Sequence, residues 1–169
     1  MTALPQAKPA VEWRMRQLFA VLAACALLAA CSPRDPQPQT SLPTTKVVID
    51  TQKGPVAFNV EVASDGASLE KGLMYRTKLA EDAGMLFDFR KPTLAVFWMK
   101  NTPLSLDILF IRADGVVSTI AADAVPYSED KIPASEPVRA ALEINGGQAT
   151  AKGIRPGDKV RAAIFGNTR

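Results

Sequence analysis

Gly54-Pro55-Val56-Ala57-Phe58-Asn59-Val60-Glu61-Val62-Ala63 decides the fold class, because Val56, Phe58, Val60 and Val62 alternate with Ala57, Asn59, Glu61 and Ala63 without a break. Successive side chains of a strand point to opposite faces, so this period describes a strand with one buried face. Val47-Val48-Ile49 lies upstream, across Gly54-Pro55, and the two runs predict a hairpin. Downstream, Ser64 to Met74 supplies capping residues and then Leu69 and Leu73 at helical spacing, which predicts one short helix ending near Arg76. Strand-like runs return at Gly84–Phe89, Leu94–Lys100 and Leu106–Arg112, and Asp114-Gly115 turns the chain into Val116–Ala121. Pro126, Pro133 and Pro137 make 125–137 a loop. Val138–Ile144 reads as a strand, Gly146 to Gly153 as a short helical turn, and Lys159–Phe165 as the closing strand. Seven or eight strands at short spacing with one or two short helices predict a mainly-β sandwich or barrel.

The first thirty residues read differently. Arg14 and Arg16 precede the thirteen-residue apolar run Leu18–Ala30, which ends at Cys31. As a helix that run rises about 20 Å, short of a ~30 Å hydrocarbon core. A charged start, a short apolar middle and small residues at the end make a secretory signal peptide over residues 1–30, with Met15 as an alternative start. Leu28-Ala29-Ala30-Cys31 resembles the lipobox of bacterial lipoproteins, in which the Cys thiol receives a diacylglycerol and becomes the new N-terminus. The resemblance makes Cys31 a lipidation site. Leu22-Ala23-Ala24-Cys25 repeats the pattern, but cleavage there would leave only Leu18 to Ala24 as the apolar region. Several acyl chains at ~0.8 kcal/mol per buried CH₂ hold such a protein on a membrane. Ser32 after the anchor resembles the context of outer-membrane lipoproteins, which places the domain on the periplasmic face of the outer membrane if the source is Gram-negative. Residues 31–45, with Pro33, Pro36, Pro38 and Pro43, read as an extended tether reaching up to about 40 Å, and 46–169 as one domain.

Composition excludes several chemistries. The chain has no His, so imidazole bases, Ser-His-Asp and Cys-His arrangements and His-based zinc sites are all absent. With residues 1–30 removed, 17 basic and 16 acidic groups remain and the longest basic cluster is Arg90-Lys91, so phosphate-backbone binding to nucleic acid is disfavoured. With Cys31 acylated no thiol is left for a disulfide or a nucleophile. Ser68-Leu69-Glu70-Lys71 matches S-x-x-K, but neither S-D-N nor K-T-G follows. No phosphate-binding glycine loop or H-E-x-x-H is present, and no metal or cofactor is expected.

The densest polar and aromatic block is Phe97-Trp98-Met99-Lys100-Asn101-Thr102-Pro103-Leu104-Ser105-Leu106-Asp107. With Glu70-Lys71-Gly72-Leu73-Met74-Tyr75-Arg76, Gly84-Met85-Leu86-Phe87, Ala141 to Gly147 and Gly153 to Val160, it closely resembles the domain of unknown function 192 family of small bacterial and archaeal proteins. The resemblance spans about residues 46 to 165 and implies a compact mainly-β domain whose activity is unassigned. Members usually carry Pro where this chain has Ser105.

A strand ending in Trp98, Lys100, Asn101 and Thr102, followed across a proline turn by Asp107, sets an aromatic plate, a cation, an amide and a carboxylate near one rim, with Arg76 and Glu143 as further candidates. Such rims hold polar ligands. The competing role is architectural: Asn101 and Thr102 cap a turn, Asp107 pairs with Lys100 or Arg76, and Trp98 is core. The leading expectation is a lipid-anchored cell-envelope domain that binds a polar small molecule, glycan or partner, with no catalytic residue assigned. Two alternatives stand beside it. One is an enzyme acting on envelope glycans through Asp107 and Glu143, or Lys100 as base; the other is a structural accessory of an envelope complex, recognisable by an exposed apolar patch.

Overall fold

The computed structural model describes residues 36–168; the expected signal segment, Cys25 and Cys31 lie outside the described residues. The alternating run folds as predicted. β1 (Thr44–Thr51) and β2 (Gly54–Ala63) form an antiparallel hairpin in which Val47 and Ile49 face Phe58 and Val60 in the core. α1 (Gly66–Lys71) follows, its N-terminus capped by the Asp65 carboxylate, which accepts from the Ala67 and Ser68 N–H groups at 3.1 Å each. The Ser68 hydroxyl and these N–H bonds hold the Asp65 carboxyl below its ordinary pKa. α1 stops well before Arg76, because Gly72 takes φ +49°, a conformation that a helix cannot continue through.

The chain then returns as β3 (Ala83–Thr93), which runs parallel to β2 rather than antiparallel, with Asn59 to Ala63 opposite Ala83 to Phe87. β4 is only Val96–Phe97, paired with β7 (Ile132–Pro133) in a separate two-stranded sheet. The expected strand over 94–100 and the expected loop over 125–137 are therefore both corrected: each contributes two residues of ladder, and in the second Pro126 and Pro137 lie on either side of the paired residues. β5 (Leu106–Ile111), β6 (Val117–Ala124), β8 (Val138–Asn145), α2 (Gln148–Lys152) and β9 (Lys159–Arg161) complete the elements, and the predicted strand over 159–165 ends early in a 3₁₀ turn, Ala163–Phe165.

Seven strands form one sheet in the order β6-β5-β8-β3-β2-β1-β9. The sheet curls as a half-barrel whose two edges meet at one end, where Val116 bridges Lys159. Inside the curl pack Val47, Ile49, Phe58, Val60, Leu86, Leu109, Leu142 and Ile144. A second apolar cluster lies on the outer face of β3, β5 and β8 and includes Leu73, Met85, Phe87, Met99, Ile108 and Phe110. Apolar packing on both faces explains why β5 is buried at all six positions and reads as a continuous hydrophobic run.

The segment expected to be a free tether runs along this domain from Pro36 onward. The Gln39 side-chain amide donates to the carbonyls of Ser68 (3.2 Å) and Gly72 (2.7 Å), Arg76 donates to the Gln39 carbonyl (3.0 Å), and Val62 N–H donates to the Pro43 carbonyl (2.8 Å). Leu42 packs against the second apolar cluster. A proline-rich stretch with little core-forming capacity is held here by backbone and amide hydrogen bonds.

Candidate functional site

The sheet register decides which side chains meet. Met85, Glu143 and Ile108 are cross-strand neighbours on β3, β8 and β5, so Glu143 projects from the outer face into the second apolar cluster. Asp107 pairs with Ile144 and therefore projects from the opposite face. The two carboxyls considered as an acid–base pair thus point to opposite sides of the sheet and share no cleft.

Asp107 is fully buried and accepts three backbone N–H bonds, from Asp123 (2.8 Å), Gly147 (3.1 Å) and Ala149 (2.7 Å). It pairs with neither Lys100 nor Arg76; from the start of β5 it fastens the C-terminal end of β6 to the N-terminal turn of α2. Arg76 is also taken. Its guanidinium forms a two-pronged ion pair with Glu61 (2.5 and 2.7 Å) beneath the 38–44 segment. Neither residue belongs to the expected rim.

A cleft of about 290 Å³ opens between α1, the Gly72–Met74 turn and the 93–102 segment. Leu69, Leu73, Phe87, Phe89 and Phe97 wall it, Trp98 and Thr102 border it, and Glu143 lies at its floor. Gly72 makes the opening possible: a Cβ there would stand 3.1 Å from Phe87 Cζ and 3.9 Å from Glu143 Oε2. Phe97 meets Phe87 and Phe110 edge to face, with ring centroids 5.0 and 5.7 Å apart, which stiffens the wall.

Glu143 is 4% exposed, and its carboxyl makes no hydrogen bond to any described residue. Burial alone pushes its pKa up from 4.5 to about 8, so at neutral pH it is mostly a neutral acid able to donate. A carboxyl largely desolvated among phenylalanines, with no hydrogen bond to another described residue, is costly, and groups of this kind concentrate at binding sites.

At the cleft mouth Trp98 is exposed rather than core, and Lys100 Nζ lies 5.0 Å from the centroid of its ring. A second, shallower groove shares Glu70, Lys71, Met74 and Trp98 with the cleft and continues past Lys100 and Asn101 to Pro36. Asn101 adopts φ +55°, a left-handed conformation that Asn tolerates, and its carbonyl accepts from Tyr75 N–H at 2.7 Å. Thr102 is buried, its hydroxyl donating to the Lys100 carbonyl at 3.1 Å. The structure therefore brings Trp98, Thr102 and Glu143 together, sets Lys100 and Asn101 in the adjoining groove, and removes Asp107 and Arg76. Among the described residues no group of three His, Cys, Asp or Glu could hold a metal ion.

The profile of the family described as DUF192, Uncharacterized ACR, matches residues 47–162. The chain belongs to the DUF192 family. Solved structures resemble this DUF192 domain throughout. One, from Sinorhizobium meliloti 1021 and provisionally described as a transcription regulator, is 43% identical, covers 75% of this chain and 98% of its own, and superposes with a TM-score of 0.72. Another, a protein of unknown function from Novosphingobium aromaticivorans DSM 12444, is 44% identical, covers 79% of this chain and 95% of its own, with a TM-score of 0.71. No curated protein matches the chain.

Sequence reasoning missed the walls of the DUF192 cleft: Leu69, Gly72, Leu73, Met74, Phe87, Phe89 and Phe97 were not among the expected site residues. They come from separate segments, and each is an ordinary apolar residue locally. The one readable signal was Glu143, a carboxyl in the otherwise apolar run Ala140-Ala141-Leu142-Glu143-Ile144.

Proposed function

We propose that this chain is an envelope lipoprotein, anchored through Cys31, whose DUF192 domain binds a small ligand in the Glu143 cleft without transforming it. The observation that carries the binding reading is Glu143 itself, a carboxyl at the floor of an aromatic-walled opening that is 4% exposed and makes no hydrogen bond among the described residues. A ligand that presents a hydrogen-bonding group to Glu143 and an apolar body to Phe87, Phe97 and Leu73 would satisfy the carboxyl and replace water on the walls. Trp98 and Lys100 at the mouth suit a ring or polar group at the ligand's outer end. The anchor reading rests on Leu28-Ala29-Ala30-Cys31 and its flanks. The separation of Asp107 from Glu143 removes the support for a paired-carboxylate glycosidase. A nucleic-acid role finds no support in the near-balanced charge of residues 31–169.

Thermal unfolding of the full chain in detergent, screened against amines, amino sugars and glycan fragments, tests the ligand reading: a binder raises the midpoint of the parent and leaves Glu143→Leu unmoved. A binder that shifts both equally refutes the cleft as its site. Metabolic fatty-acid labelling tests the anchor. Cys31→Ala is expected to lose the label and Cys25→Ala to keep it; an unchanged label on Cys31→Ala refutes the anchor.

A further inference from the structure

The extended segment that borders the cleft is apolar on both sides. Ala95 (6% exposed) and Met99 (1%) point inward with the half-buried Phe97, while Leu94 (63%), Val96 (55%) and Trp98 (42%) point to solvent. Three large apolar side chains at i, i+2 and i+4 therefore make one continuous outward strip, beyond the single exposed residues that any surface carries. The groove beside Trp98 is lined by Lys71 and Lys100, with Glu70 as its acidic member. Its continuation past Asn101 and Pro36 carries Tyr127, also exposed.

We infer that this strip is a bilayer-docking surface, seated on the same membrane that holds the lipid anchor. It rests on the proposed lipidation of Cys31. Pro36 lines the groove next to Trp98 and Lys100, fixed there by the hydrogen bonds of Gln39, so the chain leaves the described domain beside the strip. Only five Cα steps separate Pro36 from Cys31, at most ~18 Å of extended chain. The anchor therefore keeps the strip within reach of the headgroup region, not at the ~40 Å that a free fourteen-residue tether would allow. The chemistry fits that location: Trp and Tyr settle at the boundary between acyl chains and headgroups, and lysines lie along such surfaces with their ammonium groups toward lipid phosphates. Docking would also turn the adjoining cleft mouth toward the membrane surface.

The chain from Cys31 to Arg169 contains one cysteine, Cys31, and one tryptophan, Trp98. Coupling Cys31 to a maleimide-bearing phospholipid in phosphatidylcholine and phosphatidylglycerol vesicles reproduces the anchor whatever the cell does to this residue. Trp98 emission is then read with lipids carrying a doxyl quencher just below the headgroups. Docking predicts loss of about half the emission or more, a blue shift relative to chain capped with a small maleimide in solution, and at least about threefold weaker quenching for Leu94→Ser/Val96→Ser. Both substitutions fall on exposed positions and leave the core intact. Emission unaltered by vesicles, or a double variant quenched as strongly as its parent, overturns the inference. So does a concentration-dependent blue shift of the capped chain without vesicles, which assigns the strip to a second copy. Quenching retained where cells show no fatty-acid label discards the anchor and upholds the surface; labelling retained without quenching does the reverse.

Discussion

Replacing Glu143 by glutamine removes the ionisable group from the cleft floor while keeping its shape. Burial raises the Glu143 pKa from 4.5 to about 8, so between those values the folded protein holds a proton that the unfolded chain releases. Stability therefore falls as pH rises through this window: the contribution is fully present below pH 4.5 and is lost by the time the folded carboxyl ionises near pH 8. At ~1.4 kcal/mol for each pH unit, the whole window corresponds to ~5 kcal/mol, an upper bound because water entering the cleft would offset part of the burial. That is comparable to the entire stability of a small domain. Glu143→Gln carries no such proton. Urea melts of parent and variant at pH 5, 6, 7, 8 and 9 are expected to give similar stabilities at pH 5 and a growing advantage for the variant up to about pH 8, levelling beyond it. A difference between the two proteins that is constant across this range would refute the buried, unpaired state of Glu143.

Asp107→Ala strands the N–H groups of Asp123, Gly147 and Ala149 and is expected to cost ~3 kcal/mol or more, whereas Asn101→Gly, which keeps the positive φ, should cost ~1 kcal/mol or less; denaturant melts that rank them in reverse would contradict the assignment of Asp107 to the scaffold. Gly72→Ala sets a methyl 3.1 Å from Phe87 at a positive φ, so calorimetry should show a loss of ~1–3 kcal/mol together with weaker binding of any cleft ligand; unchanged stability would mean that the turn has room to spare. Gln39→Ala removes the amide bonds to Ser68 and Gly72, and limited proteolysis within 36–43 should accelerate several-fold while the core stays protected; an unchanged cleavage rate would show that Leu42 and Pro43 hold the segment without Gln39.

The β1–β2 hairpin was legible because one of its faces is buried along most of its length, with Ala63 the exception on the other, so burial writes a period of two into Val56 to Val60. The central strands were legible as strands but not in their pairing. Nothing local in Gly84-Met85-Leu86-Phe87 distinguishes a parallel neighbour from an antiparallel one, and the crossover through α1 is a property of the whole sheet. The segment Leu94 to Met99 shows where hydrophobicity misleads. Both of its faces are apolar, so the pattern is silent on which one is inside, and Trp98 was read with equal ease as core or as rim. Asp107 was placed on the rim by its closeness in sequence to Lys100 and Asn101. Its true partners lie 16, 40 and 42 residues away, and the alternation of β5 sends it to the other face. Glu143 was named only as a further candidate beside the rim, although a carboxyl inside the apolar run Ala140 to Ile144 is conspicuous. The aromatic walls that give it meaning converge only in three dimensions.

The meeting of the two sheet edges at Val116 and Lys159 bears on the order of assembly. β9 reaches back to β1, joining residues as far apart as Asp50 and Arg161, 111 positions along the chain, and the same short strand touches the start of β6. Its three residues are the clasp of the curl, and until they arrive both rims of the sheet stand open. Loop closure over such spans costs entropy before the contacts offset it, so this pairing is among the least favoured to form early. Because β9 lies near the end of the described chain, the two rims of the half-barrel are joined only once that last strand is in place.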